Sequence, residues 1–394
     1  MIRKPKSLRK TPKTRIPPGD PASLSPVSGK RSEQVRHTGS FSGLFIIPLL
    51  VSIVGLFFVY EASSILSLDK TGDSFHYLKL QLVWITAGFV FMIIVSFLDY
   101  HFWSRIAFFL MVLSIVLLVI VLIPAIGKVG GGARSWIDLG PFNLQPTELA
   151  KFATILYLAS WLVQREVKKF STFLILLSLL LFLIILQPDI GTAIVIFSLG
   201  VMIYFLAGKD IYKLLIFVPL GIAAFVGLIT AAPYRFNRLI AFMNPQIDPQ
   251  GISFHINQIL ISLSSGNVFG KGFGASRQKY LFLPEAHTDS VFAIIGEELG
   301  FVGAATLVII YMMLMYLLYR LYCSTNDRFG RALAGGVFVY FGLQIIVNLG
   351  GMVALMPLTG VPLPFISYGG SHIVISFILM GIALNIARQN AREG

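Results

Sequence analysis

Five titratable side chains gather in one short stretch of the chain, LPEAHTDSVFAIIGEELG, at residues 283–300. They are Glu285, His287, Asp289, Glu297 and Glu298. The first three precede an apolar run. The last two lie inside it, where a charged carboxylate costs about 2.5–3.5 kcal/mol and therefore usually faces protein or a wet cavity. Groups that exchange protons at the end of an apolar run suit general acid–base chemistry at a membrane surface.

Asp289 is the strongest candidate for such a base, and it has two compatible interpretations. In the simpler one, Thr288 caps the following helix, and Asp289 in the first turn meets the positive end of the helix dipole. In the functional one, Asp289 is a general base beside cationic residues that could bind phosphate. The dipole would keep Asp289 ionised, as a base requires, although it would also weaken the base.

Charge elsewhere in the chain could serve the same site. Glu148 and Lys151 are three residues apart, so they share one helical face and favour a buried or half-buried ion pair. Lys151 would reach a phosphate only if that pair opened towards the site. Arg134 follows three glycines in GGGARSW, where the backbone could approach an anion closely. A flexible turn with Trp136 at the membrane interface is the alternative.

Positive charge also accumulates in a long segment between two apolar runs, at 233–287. Its cationic residues include Arg235, Arg238, Lys271, Arg277 and Lys279. Loops on the outer side of a membrane normally carry few Lys and Arg. The excess therefore predicts either an anionic ligand or internal ion pairs.

Two motifs without cationic residues also stand out. ILQPDIGTA, at 185–193, is typical of a tight turn between two spans. MPLTGVPLPFISYGGSH, at 356–372, is rich in proline and glycine and predicts a rigid, shaped lip instead of a flexible linker. The sequence contains neither HxxH nor HExxH spacing, and neither a Walker nor a Rossmann fingerprint.

Membrane helices are the elements that must position these residues. Of 394 residues, 56% are hydrophobic and 12% are charged, whereas a typical soluble domain is about 25% charged. Apolar runs of about 20 residues recur, each long enough to cross a bilayer core of about 30 Å. The sequence therefore predicts an all-α polytopic membrane protein. Its single cysteine, Cys323, excludes an intrachain disulfide.

About ten transmembrane helices are predicted. They fall at about 42–66, 77–98, 102–125, 147–163, 171–187, 190–207, 212–232, 288–319, 331–356 and 370–387. An even number places both termini on one side. The short loops on that side nearly all carry Lys or Arg, so the positive-inside rule makes both termini cytoplasmic. The eighth run is long, which predicts a tilted helix or one that extends beyond the membrane.

The chain divides into three predicted regions. Residues 1–40 form a disordered basic cytoplasmic tail, 41–388 form the ten-helix membrane domain with its large outer loop at 233–287, and 389–394 form a cytoplasmic C-terminal tail. The basic tail has little to bury, because it is rich in Pro, Ser, Lys and Gly. Such a tail before a first span is more typical of cytoplasmic retention beside anionic lipid than of nucleic-acid binding.

Several segments in this order resemble the SEDS family (shape, elongation, division, sporulation) of membrane glycosyltransferases that polymerise peptidoglycan. They are GGARSWIDLGPFNLQPTELAKF, LQPDIGTA, YRFNRLIAFMNPQIDPQG, LPEAHTDSVFAIIGEELGFVG and MPLTGVPLPFISYGGSH. SRQKYLFLPEAHTD is more similar to the division branch than to the elongation branch. Ala286 and Ser290 depart from the pattern LPERHTDF of the elongation branch, and neither change removes a charge that the chemistry should need.

The resemblance implies that lipid II, a disaccharide pentapeptide on undecaprenyl pyrophosphate, is both donor and acceptor at the outer face of the cytoplasmic membrane. Asp289 would be the catalytic base in an inverting transfer. The implied substrate-binding residues are Arg134, Glu148, Lys151, Arg238, Lys271, Arg277, Lys279, Glu285, His287 and Ser367. No cofactor is certain, and a divalent cation remains open. The implied partners are a class B penicillin-binding protein, which is a transpeptidase, and other divisome membrane proteins at the division septum, with no nucleic acid.

Three alternatives compete with a division polymerase. A polymerase of the elongation branch would perform the same reaction. A lipid II flippase should show two matching halves with interrupted spans and charge near the midplane, whereas here the polar groups crowd one face. A non-catalytic scaffold would not explain why an Asp, an Arg and several Lys converge on that face.

Overall fold

The computed structural model of the protein describes residues 28–130, 132–140, 142–163, 170–208, 211–216, 242–243, 248–251, 253–280 and 282–393. These residues form ten α-helices and one small sheet. The helices are α1 Ser28–Thr71, α2 His76–Phe97, α3 His101–Ile120, α4 Pro146–Val163, α5 Phe170–Leu186, α6 Ile190–Leu206, α7 Phe254–Ser265, α8 Val291–Ser324, α9 Arg328–Met352 and α10 Gly370–Glu393. A short 3₁₀ helix spans Ile211–Ile216.

Six of the described helices are long and apolar enough to cross a membrane, namely α1 from Phe41 onwards, α2, α3, α8, α9 and α10. α5 and α6 are apolar but shorter, with 17 residues each. The predicted spans one to six and eight to ten each fall on a described helix. Most of the predicted seventh span, 212–232, lies outside the described residues. The chain is therefore a mostly helical, multi-pass membrane protein.

The helices run between two ends of the bundle, named here after the aspartates found there. The Asp289 end also contains the sheet and the segment 353–369, which leads into α10. The Asp99 end contains the turn from α2 to α3 and the turn from α8 to α9, where the Tyr100 hydroxyl donates to Asp327 Oδ2 at 3.2 Å.

α4 lies inside the bundle, and most of its residues are buried. Its neighbours include α3, α6 and α9. α2 and α3 instead expose large apolar side chains along their outer faces, among them Phe108 and Phe109 on α3. A helix that is apolar all round suits lipid contact, whereas a helix that carries ionisable groups requires protein around it.

The prediction of an all-α fold is wrong for one segment at the Asp289 end. Strands β1 Gly127–Gly130, β2 Ala133–Asp138 and β3 Asn143–Leu144 form an antiparallel sheet in the order β1–β2–β3. Gly132, with a φ of +85°, supplies the left-handed residue in the turn between β1 and β2. Short strands rich in glycine show too little alternation of polar and apolar residues to be recognised from sequence.

α8 is broken near its first third. Gly300 has a φ of +67° and a ψ of −164°, a conformation open essentially only to glycine. The backbone groups that the break frees are used by the preceding loop. The Glu297 carbonyl accepts the Lys271 N–H at 3.0 Å, and the Phe301 N–H donates to the Asn267 carbonyl at 2.9 Å.

α1 begins at Ser28, so residues 28–40, for which the sequence predicts disorder, are helical here. Residues 1–27 lie outside the described residues. The prediction of disorder considered only how little this segment can bury. A helix that is already nucleated in the membrane extends at little cost through Lys, Arg, Glu and Gln, which are good helix formers.

The segment 353–369 turns back into the bundle before α10 begins. The Phe365 ring is fully buried and stacks on Phe341 of α9, with Phe377 of α10 at its edge. The Tyr311 hydroxyl of α8 donates to the Pro364 carbonyl at 2.5 Å. These contacts agree with the rigid lip that the sequence predicts, and they hold it against three helices.

Candidate functional site

Asp289 lies two residues before the first residue of α8, at the end of the bundle that bears its name. The residue that caps α8 is Ser290, and its side chain makes no capping hydrogen bond. The Thr288 hydroxyl instead donates to Glu285 Oε2 at 2.8 Å. The prediction that Thr288 caps the helix and Asp289 lies in its first turn is therefore wrong, because Thr288 is used within the loop.

The Asp289 side chain is buried, with 7% of its surface exposed. It lines a narrow space, too tight to hold a water molecule, together with residues from the end of α9 and from 358–361. Gly360 lies directly over the carboxylate, since a Cβ at Gly360 would lie 3.6 Å from Asp289 Oδ2. A carboxylate in this position is shielded from bulk water yet close to the outside of the bundle.

Asn348 lines the same space, and the search for chemistry in the sequence missed it. Its amide nitrogen donates to the backbone carbonyls of Asp289 and Val361, each at 2.8 Å. The signal was present in IIVNLGG, because a lone amide inside an apolar run needs hydrogen-bond partners that lipid cannot supply.

His287 lies in the same loop as Asp289. Its ring is buried and packs against the rings of Tyr77 and Tyr368, with centroid separations of 4.9 and 5.5 Å, and the two tyrosine rings also contact each other at 5.2 Å. The Tyr368 N–H donates to the His287 carbonyl at 2.9 Å, which joins this loop to the lip. Burial lowers the pKa of His287 to about 4, and the charge of Lys70 acts in the same direction. The imidazole is therefore neutral at physiological pH.

Glu148 and Lys151 form the ion pair that their spacing predicts. Lys151 Nζ lies 2.6 Å from Glu148 Oε1, and each side chain is 2% exposed. His372 Nδ1 lies 3.8 Å from Glu148 Oε2, and Lys151 Nζ lies 5.9 Å from the centre of the Tyr340 ring. Tyr340 and Asn348 are eight residues apart on α9, which places the pair about 12 Å along the bundle axis from the Asp289 loop.

The two lysines of the outer loop pair with carboxylates of the protein itself. Lys271 Nζ lies 2.7 Å from Glu297 Oε1, and Lys279 Nζ lies 2.6 Å from Glu61 Oε2. Glu298 Oε1 is a second, more distant partner of Lys279 at 3.7 Å. Internal pairing, one of the two predicted explanations for the excess of charge, thus applies to both lysines.

Glu297 and Glu298 therefore fasten a loop and do not line the space beside Asp289. Glu297 also accepts the Ser276 hydroxyl at 2.6 Å and the Arg277 N–H at 3.3 Å. Both carboxylates lie just before the break at Gly300. The loop therefore forms ion pairs with α8 at the same place where its backbone hydrogen-bonds to the freed backbone groups of α8.

The remaining predicted site residues are dispersed. Arg134 lies in β2, and its N–H donates to the Gln187 carbonyl at 3.1 Å. The Arg277 side chain is exposed, and neither arginine forms an ion pair with another residue in the described ranges. Ser367 is fully buried, and its hydroxyl accepts the Leu363 N–H at 2.8 Å. Arg238 lies outside the described residues.

The turn at ILQPDIGTA is confirmed as a tight connection between two helices. Asp189 caps α6 by accepting the Thr192 N–H at 3.0 Å and the Thr192 hydroxyl at 2.8 Å. Such a cap contributes about 1 kcal/mol to helix stability. This aspartate is therefore occupied in stabilising α6.

These positions define a buried carboxylate at one end of a membrane bundle, with the half-buried Arg134 and the exposed Arg277 at the same end and a separate ion pair deeper inside. A carboxylate there can accept a proton from a hydroxyl that reaches it, and arginines can bind an anionic group. The arrangement suits a transfer reaction on a polar, charged head group that is attached to a lipid.

The sequence matches a known family over most of its length. The family model for the cell cycle proteins FtsW, RodA and SpoVE matches residues 42–392. Stage V sporulation protein E of Bacillus subtilis is 39% identical over 353 residues, covering 88% of this chain and 96% of that protein. The probable peptidoglycan glycosyltransferase FtsW of Trichlorobacter lovleyi is 37% identical, covering 87% of this chain and 92% of that protein.

Solved structures show the same fold. A chain from a study of the "structural coordination of polymerization and crosslinking by a peptidoglycan synthase complex" matches with a TM-score of 0.71 and 28% identity, covering 88% of this chain and 97% of that one. The rod shape determining protein RodA of Thermus thermophilus matches with a TM-score of 0.64 and 28% identity, covering 88% and 96%.

Proposed function

Because the chain belongs to the FtsW/RodA/SpoVE family of cell cycle proteins, the SEDS family, we propose that it is a peptidoglycan glycosyltransferase. It polymerises lipid II into glycan strands, and its place is septal cell-wall synthesis during division. Relatives named as probable peptidoglycan glycosyltransferase FtsW, at 35–37% identity, support this activity and the division role. The similarity to a sporulation protein at 39% identity makes spore formation a second setting for the same reaction.

The observation that carries the proposal is the carboxylate of Asp289, buried beneath Gly360 at the end of a membrane bundle. In the proposed step this carboxylate takes the proton from the 4-hydroxyl of the acceptor sugar. The resulting oxygen attacks the anomeric carbon of the donor, the bond to undecaprenyl pyrophosphate breaks, and the configuration inverts. One base and a stabilised leaving group are sufficient for this displacement.

Cationic side chains stabilise the pyrophosphate as it leaves. We assign this role first to Arg134 and Arg277, since neither is paired with a carboxylate in the described part of the chain, and to Arg238 by sequence alone. Lys271 and Lys279 act indirectly. Their ion pairs with carboxylates hold in place the loop that carries Arg277. Glu285, His287 and Ser367 form or brace the walls around Asp289 and remain predicted contacts of the sugars.

The proposal includes a topology with ten spans, both termini in the cytoplasm and the Asp289 end outside. α6 ends towards the Asp99 end, where Leu206 lies against Gly335, and α7 packs on the start of α8 at the Asp289 end, where Ser262 donates to the Ala293 carbonyl. Between them the sequence predicts a seventh span and the large outer loop. With the Asp289 end outside, the sugars of lipid II meet Asp289 in the periplasmic or extracellular space. Its polyprenyl chain then remains in the bilayer beside the helices.

Partners belong to the proposal as well. A glycan strand without cross-links has little mechanical use, and this chain has no SxxK motif with a periplasmic transpeptidase domain behind it. A solved relative comes from a synthase complex that coordinates polymerisation with cross-linking. We therefore assign the chain a class B penicillin-binding protein as its transpeptidase partner, together with other membrane proteins of the divisome.

The decisive experiment is polymerisation of purified lipid II by the purified chain, with and without the transpeptidase. Asp289→Asn keeps the shape of the side chain but removes the proton acceptor, so polymerisation should fall by about 100-fold or more while thermal stability is retained. Asp73→Asn, which changes an exposed carboxylate at the same end, should polymerise like wild type. Near wild-type polymerisation by Asp289→Asn would refute the role as base, and no polymerisation by wild type would favour the flippase or the scaffold.

A further inference from the structure

Asn348 is tied to the backbone of Asp289 and to that of the lip at the same time. It lies one turn before the end of α9, with 2% of its surface exposed. Its single amide nitrogen donates one hydrogen bond to the Asp289 carbonyl and one to the Val361 carbonyl, both at 2.8 Å. These two acceptors lie in different loops, 72 residues apart in the sequence (361 minus 289).

We infer that Asn348 is a positioning residue that clamps the Asp289 loop to the lip and so sets the place of the Asp289 carboxylate beneath Gly360. The expected effect on the reaction rate rests on the proposed function. The link between the two loops through Asn348 does not depend on it. Asn348 is assigned a positioning role because its amide nitrogen donates to backbone carbonyls.

The surroundings show why the clamp needs to be tight. The space that Asp289 and Asn348 line is too tight to hold a water molecule, and Thr359 and Gly360 also line it. Gly360 has a φ of +70°, and a Cβ there would already contact Asp289 Oδ2 at 3.6 Å. The carboxylate therefore has little room, and a small shift of either loop changes the direction in which it meets a hydroxyl.

The lip is also held where it crosses other helices. Gly191 at the start of α6 packs on the Thr359 carbonyl, where a Cβ would approach to 2.1 Å. The Gln81 side chain donates to the Ser367 carbonyl at 3.2 Å. Fixed on those sides, the lip transmits its position to Asp289 through the two hydrogen bonds of Asn348 and through the Tyr368 N–H on the His287 carbonyl.

An amide is suited to this position because one nitrogen can donate to two carbonyls. Leucine has the same number of side-chain heavy atoms but donates nothing. An ionised aspartate would face the two carbonyl oxygens with an oxygen of its own, so it should separate the loops. Glutamine is longer by one methylene and would displace one loop from the other.

Asn385 provides a matched control at the opposite end of the bundle. It is also buried, with 3% exposed, and it also bridges two segments. Its oxygen accepts the Tyr100 N–H at 3.0 Å, and its amide nitrogen donates to the Ser96 carbonyl at 2.9 Å. Asn385→Leu thus removes the same type of hydrogen bonds without affecting the Asp289 loop.

The test compares Asn348→Leu with Asn385→Leu in the purified full chain, using lipid II polymerisation and thermal unfolding. Misplacement of a reacting group by about 1 Å can reduce a rate by about 100-fold. We therefore expect Asn348→Leu to lower kcat by about 10- to 100-fold with KM within about threefold. Asn385→Leu should lose a similar amount of thermal stability and keep its kcat.

A second readout does not depend on activity. In Asn348→Leu, amide hydrogen exchange should become faster in peptides that cover 285–292 and 358–368, above all at Tyr368, whose N–H joins the two loops. Asn385→Leu should leave these peptides unchanged. If Asn348→Leu does not fold, Asn348→Asp serves in its place, because it preserves the volume and removes both donated hydrogen bonds when ionised.

The outcomes separate the clamp from the proposed function. Unchanged exchange in both loops overturns the clamp, whatever the rate does. Faster exchange with unchanged kcat shows that the clamp exists but does not position Asp289, which overturns the inference. If wild type itself does not polymerise lipid II, the proposed function fails and the effect on rate fails with it, while exchange still decides the clamp.

Discussion

The buried carboxylates at 283–300 differ in what surrounds them. Asp289 is buried beneath Gly360 just before α8, whereas Glu297 and Glu298 are buried against the lysines and backbone of a neighbouring loop. The same residue type thus has different roles within one stretch of 18 residues. Its partners decide which role, since an unpaired charge in a membrane bundle is costly.

The ion pair of Glu148 and Lys151 leads to the first prediction at this scale. Lys151→Met removes the cation and leaves a buried carboxylate unpaired, which should lower the free energy of unfolding by about 3–5 kcal/mol. The double change Glu148→Gln with Lys151→Met removes both charges and should recover most of that loss. Thermal unfolding in detergent measures both effects.

The exposed pair of Lys128 and Asp138 on the sheet is the control. Lys128→Met should change stability by less than about 1 kcal/mol, because water solvates both charges when they separate. If Lys151→Met and Glu148→Gln each unfold at the wild-type temperature, the pair is not structural, and Lys151 becomes a better candidate for binding phosphate.

His287 predicts a dependence of stability on pH. Its pKa is lowered to about 4 in the folded chain from an ordinary value of 6.5, because the ring is buried. The unfolded chain therefore binds the proton more readily between these values, and stability should fall as pH decreases from about 6.5 to about 4, by up to about 3 kcal/mol. Above pH 6.5 this contribution is fully present.

His287→Asn isolates this contribution. The thermal midpoint of wild type should fall between pH 7.5 and pH 5 by more than that of His287→Asn, because the variant cannot take up the proton. Other titrating groups contribute equally to both proteins, so only the difference between the two is diagnostic. Equal shifts in the two proteins would mean that the imidazole protonates in the folded state without cost.

At the scale of elements, the break in α8 allows a loop to pair with a membrane helix. The loop before α8 donates and accepts backbone hydrogen bonds at the opened turn, and Lys271 and Lys279 add charge pairing nearby. The freed backbone groups of the helix are thus satisfied within the protein, as the bilayer requires. The same contacts hold Arg277 at the Asp289 end.

Gly300→Ala should disrupt the contact between α8 and the preceding loop. Alanine at a φ of +67° and a ψ of −164° is strained by about 1–3 kcal/mol, and its Cβ would approach the Gly270 nitrogen to 2.2 Å. We expect a lower thermal midpoint and faster proteolysis of the loop at 266–280. Gly342→Ala is the control, since its Cβ would meet only the flexible end of Met315 at 2.9 Å. Equal stability of the two variants would contradict the importance of the break.

At the scale of the whole molecule, the glycines of α9 serve the bundle itself. Gly335, Gly336, Gly350 and Gly351 are buried. A Cβ at Gly336 would approach Ile155 of α4 to 2.6 Å. Close approach of helices through small residues is common in membranes, but here it occurs within the chain. Their burial favours a role in packing within the bundle over a role in contacting a partner's span.

The apolar face of α8 is a better candidate for the span of the transpeptidase. Beyond the break, α8 exposes Ile309, Met312 and Met313, each more than half accessible. We expect the partner to co-purify in mild detergent and to increase polymerisation when titrated in. Ile309→Trp should weaken both effects by changing the shape of this face. Val112→Trp, on the exposed face of α3, should not. Full polymerisation by the chain alone, with no partner retained, would contradict the coupling.

Much of this molecule is determined by local sequence. Composition and runs of about 20 apolar residues identify a membrane protein and place its helices, because the bilayer requires every span to satisfy its own backbone. The pair of Glu148 and Lys151 follows from a spacing of three residues, and the cap at Asp189 follows from its position before α6. The candidate base Asp289 was identified in the same way, from the stretch in which it lies.

Tertiary structure alone decided the features that depend on distant neighbours. Lys271 pairs with a carboxylate 26 residues away, and Lys279 pairs with one 218 residues away on α1. The break at Gly300 and the clamp at Asn348 likewise depend on which backbone groups packing brings together. Periodicity and propensity report on residues within about one helical turn. The partner of a buried polar group is chosen by the packing of whole helices, which no local pattern contains.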